Sequence, residues 1–529
     1  MKKKAFLPLA AAVLFCLSAC GSADLTQPAG TASQTEQAQT AQSAAAAADE
    51  MFTDRDLEIG YDEETSAQIV LTGDSASCDS DAVRIAGSTV TITDEGTYIL
   101  SGTLNDGMII VSAEDTDKVQ LVLNGVDITS GTCAALYVSQ ADKVFITTAA
   151  GTENALSNGG EYAAIDDSNI DAVVFSRSDL TLNGAGALTI NAAAGHGIVS
   201  KDDLALTSGT YTITAAGHGI SGKDSVRAAS GTYTLVAGKD GIHAENEEDA
   251  SLGFVYIAGG SFTITADGDG ISAGAYVQIA DGSFTITAGA GSAGVTMNTD
   301  TMEPGQRGGF SDEAADAAQQ DSVSQKGIKA DGALTITGGT FAADTADDAL
   351  HAGGDLLIAG GRFELKSGDD ALHSDAAVTI RGGDFAIPYC YEGIEGLSVT
   401  IDDGTFDIVS VDDGINAAGG ADSSGFGGAR PGQEQFSASS DSFITIHAGE
   451  FSIVSTGDCI DSNGALTING GSLDLTCNAS GNTALDCDGT YANNGGDITT
   501  NDGSESSPGQ MGGMGGQGGM GGQGGMGRH

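Results

Sequence analysis

Lys326, Asp348, Asp370 and Glu392 follow one another at intervals of 22 residues, and Asp413 comes 21 later. Three residues on, a second series keeps the same interval: Lys329, His351, His373 and Glu395. The acids also come in pairs, Asp347-Asp348, Asp369-Asp370, Asp402-Asp403 and Asp412-Asp413, three of them at the same point of the repeat. Carboxylates brought within about 5 Å of each other either rise in pKa or take up a cation. Ca²⁺ suits such a set, since it accepts about six to eight oxygen ligands in irregular geometry. Asp347, Asp348, Asp369, Asp370, Glu392, Asp412 and Asp413 are therefore the candidate calcium ligands, several ions being expected. Histidines one repeat apart can bind zinc or carry protons, so Lys329, His351, His373 and Glu395 are read as the edge of a ligand groove. Lys326 or Lys329 beside bound calcium would be the base of a lyase, removing the proton next to a uronate carboxylate in β-elimination. Flanking carboxylates raise a lysine's pKa, which works against that role. The plainer alternatives are a solvated acidic turn and a ladder of surface polar residues, because Asp is favoured in turns anyway.

A fixed period of about 22 residues is the mark of a solenoid, in which each repeat is one coil and neighbouring coils share a core. Within residues 332–351 the apolar residues alternate over short stretches broken by Gly-Gly and Asp-rich turns, which reads as two or three short strands per coil. Ile336, Ile358, Ile380, Ile401, Ile446 and Ile468 form one column, and Phe341, Phe363, Phe385, Phe406, Phe451 and Leu473 another, continued upstream by Tyr211, Tyr233, Phe262 and Phe284. Like residues stacked on coils about 4.8 Å apart predict an all-β fold, a right-handed parallel β-helix with the aromatic column inside. If the first charged series points outward, the second does too, past an inward Ile or Leu.

The chain begins with a basic head, an apolar stretch and Leu17-Ser-Ala-Cys20. This reads as a secretory leader over 1–19, and it resembles a bacterial lipobox whose cysteine, Cys20, takes the lipid. A tether rich in Ala, Gln, Thr and Ser follows over 20–50, then a single solenoid over 51–503 with insertions near 245–254, 298–325 and 420–441, and a Gly/Met/Gln-rich tail over 504–529. The expectation is an extracellular bacterial lipoprotein, joined to the membrane only through its lipid anchor. A formal net charge of −53 repels nucleic acid and anionic lipid, so any acidic partner must be bridged by cations. The six cysteines beyond Cys20 show no metal-ligand spacing, and some are free to pair in an exported protein. Glu245-Asn-Glu-Glu-Asp249 is a further acidic cluster that could close over a cation.

The phrases Lys326-Gly-Ile-Lys-Ala-Asp, Asp347-Asp-Ala-Leu-His, Tyr391-Glu-Gly-Ile-Glu, Asp412-Asp-Gly-Ile-Asn and Asn482-Thr-Ala-Leu-Asp-Cys-Asp-Gly-Thr resemble the bacterial cell-surface β-helix carbohydrate-binding domain family. So do Thr97-Tyr-Ile-Leu-Ser-Gly-Thr-Leu and Leu121-Val-Leu-Asn-Gly-Val, which extends the resemblance over roughly 65–503. The resemblance implies a pectate-lyase-like β-helix that binds calcium and acidic or cellulosic polysaccharide without cleaving it. His196 and His218 stand at the Asp position of other coils and put metal there in doubt. With no Trp and 11 Tyr, of which Tyr276, Tyr389 and Tyr391 alternate outward, few aromatic faces are left to stack on crystalline cellulose. A pectic, polygalacturonate-like polymer of the plant cell wall is the expected partner. A calcium-dependent lyase and a purely structural surface rod are the alternatives.

Overall fold

Alternation of apolar and polar residues over about six positions forms a strand buried on one side, and here the pattern recurs once per coil. Ser261–Ala266, Ser283–Ala288, Arg362–Ser367 and Thr405–Ser410 each bury every second residue. The computed structural model describes residues 51–297, 324–418 and 441–508. The expected leader, Cys20 and the tether lie outside these residues, as do 298–323 and 419–440 within the two later insertions and the tail from 509.

The described chain is all-β, with almost no helix and one long, mostly parallel sheet. Antiparallel pairing is confined to two short hairpins near the start. Through the central coils each strand pairs with its third successor. Ile328–Ala330, Leu334–Ile336 and Thr340–Thr345 pair in parallel with Leu350–Ala352, Leu356–Ile358 and Arg362–Ser367. Three strands thus make one coil with three faces, named here first, second and third in that order. Register is held by like on like: Ile336 stands on Ile358 and Phe341 on Phe363.

The aromatic column points inward as the sequence predicts. Phe363 and Phe284 are each 1% exposed, and from Phe262 to Phe451 successive rings lie parallel with centroids 4.6–5.0 Å apart. The turn before each third-face strand must clear that stack. Gly361 sits at φ 128°, and a Cβ there would meet the Phe363 ring at 3.0 Å and the Gly339 carbonyl at 3.2 Å, so only glycine fits. The six cysteines, Cys78, Cys133, Cys390, Cys459, Cys477 and Cys487, are all free.

The single helical turn Asp54–Leu57 closes over the outside of the second face near its start. Thr53 and Asp56 cap each other's backbone N–H groups. The Asp56 carboxylate then takes the Lys143 ammonium at 2.7 Å and the Thr181 hydroxyl at 2.6 Å, while the Arg55 guanidinium lies 4.3 Å from the Phe145 ring centroid. Thr147, Thr181 and Asn183, on the outer side of that face, are buried beneath this turn. Burial by itself raises the Asp56 carboxyl, but Lys143 and Thr181 outweigh it and bring it from 3.8 down to about 2. A folded value below the unfolded one gives stability that is present above about pH 4 and lost as pH falls toward 2, about 2 kcal/mol in all. Asp56→Asn should therefore speed hydrogen exchange of residues 51–58 about thirtyfold at pH 6, and the gap to the parent should close when opening is compared at pH 2.

Candidate functional site

Each coil turns from its third face onto its first through a residue two places before the paired Ile or Leu. Followed by register, this position holds His196, His218, Asp240, Asp269, Lys326, Asp348, Asp370, Glu392, Asp413 and Asp458. Except at Lys326 and Glu392, its side chain accepts the backbone N–H of the same position on the next coil. Asp240 takes Asp269 N–H at 2.9 Å, Asp348 takes that of Asp370 at 3.1 Å, and Asp370 that of Glu392 at 3.1 Å. His196 does the same through Nδ1 at 2.8 Å, so histidine can replace aspartate here without losing the bond. Lysine has no lone pair to offer, and above Lys326 the N–H of Asp348 turns to Asp347 Oδ1 instead, at 3.0 Å.

This geometry corrects the expected orientation. Asp348 and Asp370 are 0% exposed and Glu392 2%, because an acceptor that reaches the next coil's amide must lie beneath that coil. A buried carboxylate needs compensation, and the ladder supplies it unevenly.

At Lys326 the compensation is internal. Its ammonium lies 2.8 Å from Asp347 Oδ1 and 2.6 Å from Asp348 Oδ2, and His351 Nδ1 lies 2.8 Å from Asp348 Oδ2. Oxygens of Asp347, Asp348 and Asp369 do come within 4.8 Å of one another, and two of the three, Asp347 and Asp348, already hold the lysine as their cation. One coil on, Asp370, His373 and Glu395 converge. His373 Nδ1 lies 3.1 Å from Asp370 Oδ2 and 2.7 Å from Glu395 Oε2, and Nε2 lies 3.2 Å from Asp375. Burial opposes the charge on this imidazole, yet the carboxylates around it hold it protonated, so it is a counter-ion and offers no lone pair to a metal. Burial also opposes the charges on Lys326 and Lys329, and Asp348 with Asp347 in the first case and Asp331 in the second outweigh it, keeping both ammonium groups above their ordinary range. Lys329 pairs with Asp331 at 3.1 Å, away from the Lys326 centre. A proton-abstracting base requires the opposite shift.

Past Glu395 the compensation stops. Glu392, Asp412, Asp413, Asp458 and Asp486 form no ion pair with a basic side chain among the described residues. Burial first, then each other's charge, pushes Glu392 and Asp413 well above the carboxylate range and Asp458 up to about 7. Oxygens of Asp458, Asp461 and Asp486 lie within 4.8 Å of one another. Asn416, fully buried and one coil from Asp461 in register, gives its Nδ2 to Glu392 at 3.0 Å, while its Oδ1 is buried with no hydrogen-bond partner. Converging carboxylates beside an orphaned amide oxygen are a donor set that fits a hard cation. Asp458, Asp461, Asp486 and Asn416 were not singled out from the sequence. Asp458-Cys-Ile-Asp461 repeats Asp413-Gly-Ile-Asn416, but the intervening insertion hides the interval.

His218, Asp240 and His243 also converge. Their rings are stacked, with His218 and His243 centroids 4.3 Å apart at 17°, so no single ion lies in both ring planes, and His218 Nδ1 already accepts the Asp240 N–H at 3.2 Å. The acidic stretch at 245–249 closes over Lys223 through Glu248 at 2.9 Å, a lysine where a metal cation was expected. Tyr391 is buried, Tyr276 half-buried, and Tyr389 exposed.

Residues 86–371, more than half of the chain, match the family described as carbohydrate-binding domain-containing protein, a shorter span than the resemblance over 65–503. A protein of that description from Acetivibrio thermocellus is 37% identical over 155 residues, 29% of this chain and 54% of the relative. The chain thus spans about half the length of the curated relative it matches. A solved polysaccharide lyase-like protein from C. thermocellum, a gadolinium derivative, is 36% identical, with a TM-score of 0.41 over 42% of this chain and 92% of that one.

Removing the internal cation should be costly where the external one is not needed. Lys326→Met leaves Asp348 buried without its ammonium and should lower the unfolding free energy by roughly 3–5 kcal/mol. Lys326→Met with Asp348→Asn, which keeps the acceptor for the Asp370 N–H, should recover most of that loss in urea denaturation.

Proposed function

We propose, since this chain belongs to the carbohydrate-binding domain-containing protein family, that it is a noncatalytic surface protein holding acidic polysaccharide through calcium. The scaffold of this reading is a right-handed parallel β-helix, supported by strands that pair with their third successors in constant register. The observation that carries it is the convergence of Asp458, Asp461 and Asp486 oxygens within 4.8 Å of one another, one coil from the buried Asn416 Oδ1 that has no hydrogen-bond partner. Asp458, Asp461 and Asp486 with Asn416 Oδ1 would hold the ion, with Glu392, Asp412 and Asp413 of the original candidates beside them. Bound calcium supplies the positive charge that a polymer's carboxylates need in order to approach a chain of net charge −53. Asp347, Asp348, Asp369 and Asp370 serve the ladder with Lys326 and His373 as counter-ions, and Lys329, His351 and Glu395 line its outer edge.

A pectic ligand is favoured over cellulose because, among the described residues, Tyr389 and Phe443 are the exposed large aromatics, too few for a stacking platform. The lyase reading requires a lysine able to lose its proton, and both candidates are held charged. Attachment to the outer surface of the cell through lipidated Cys20 completes the reading.

Polygalacturonate mixed with the protein should be retained with calcium, released by chelator, and show no rise in absorbance near 235 nm. Asp461→Asn with Asp486→Asn should weaken the calcium-dependent retention at least tenfold. Rising absorbance that is lost in Lys326→Ala or Lys329→Ala would establish the lyase instead.

A further inference from the structure

On the first coils the same face carries lysines. A cavity of about 440 Å³ is lined by Lys201, Lys223 and Lys239, by His196, His218 and His243, and by Glu245, Glu247 and Glu248. The chain has 20 Lys and Arg against 73 Asp and Glu, and of the other lysines of the coils Lys118, Lys143, Lys326 and Lys329 lie next to carboxylates, while Lys366 stands on the outer side of the strand Arg362–Ser367. Lys201 and Lys239 have no carboxylate partner among the described residues, although they share one cavity. Lys201 is instead positioned over the Phe175 ring, 5.4 Å from its centroid. The third lysine, Lys223, is met by Glu248 at 2.9 Å. The Glu248 side chain is 80% exposed, so it is an internal carboxylate that incoming anions can displace. The imidazoles add donors. His196 Nδ1 accepts the His218 N–H, which places the proton of the neutral ring on Nε2, 4.0 Å from Asp171 Oδ2, while His218 Nδ1 lies 3.2 Å from the Asp240 N–H and 3.3 Å from Asp240 Oδ2.

We infer that this cavity is an anion subsite that takes a carboxylate or sulfate-ester group of an acidic sugar directly on Lys201, Lys239 and Lys223, with no bridging cation. The inference rests on the polysaccharide reading for its sugar, but the anion site itself does not. It differs from the calcium mode in sign and position: ammonium groups on the coils of residues 196–248, carboxylates on those of residues 392–486. Glu248 competes for Lys223, so the subsite is partly self-occupied and its removal favours the ligand.

The test uses the full chain in chelator at low salt, titrated calorimetrically with trigalacturonate, with cellotriose as neutral control and inorganic sulfate as a sugar-free probe. Imidazole resonances of His196 and His218 are followed in parallel. Trigalacturonate should bind without calcium, weaken as salt is added, and move both imidazole resonances. Lys201→Met with Lys239→Met, both exposed positions, should lose at least tenfold in affinity, Lys239→Arg should retain it, and Glu248→Gln should tighten it severalfold. Sulfate binding with trigalacturonate inert would keep the anion site and assign it to sulfate esters. Calcium-dependent binding with none in chelator would overturn this inference and leave the proposed function intact. Chelator-resistant binding indifferent to Lys201 and Lys239 would also overturn it. No response to either anion, with or without calcium, would overturn both readings.

Discussion

The hydrogen bond from a buried turn side chain to the amide of the next coil is the constraint on which the first face depends. A parallel ladder leaves that amide outside the strand pairing, and a buried N–H without an acceptor costs about 1–3 kcal/mol. Aspartate reaches it best, so the fold stacks carboxylates beneath successive coils, at Asp240, Asp348, Asp370 and Asp413. The same bond that joins the coils accumulates negative charge inside them.

How that charge is balanced divides the face into three parts. On the first two coils histidine replaces aspartate at His196 and His218, and Asp240 follows with His218 and His243 beside it. In the middle, Lys326 and His373 serve as permanent counter-ions, and the centre is closed on itself. On the last coils neither device is present, and the balance must come from solution. A gradient of charge compensation along one face thus follows from a requirement of coil stacking, and the proposed ligand sites rest on it.

Much of the fold was legible because it is periodic. The regular recurrence of the rings from Phe341 to Phe451 and the mostly polar residues alternating with them specified strands, coils and an inward column. The site was legible in composition and not in direction. Asp348 and Asp370 were recognised as a stacked pair, but their burial follows from an amide hydrogen bond that leaves no trace in the spacing. That Lys326 is the cation of its own cluster was hidden for a similar reason: a side chain at the same register looks like a member of the series, and only the missing lone pair reveals that it plays the opposite part. Asp458, Asp461 and Asp486 were lost to the insertion before them, which shifts Asp413 and Asp458 to 45 residues apart. Lys201 and Lys223 occupy one position of the repeat, 22 residues apart, but Lys239 lies at another and joins them in one cavity only when the coils are stacked.

The central claim is that external cations enter where internal ones are missing. Long-wavelength anomalous diffraction from crystals of the protein grown with calcium tests it directly. The account expects calcium peaks among Asp458, Asp461, Asp486 and Asn416 and none within the Lys326, Asp347 and Asp348 centre. A peak at Lys326, or an empty C-terminal ladder at saturating calcium, would contradict it.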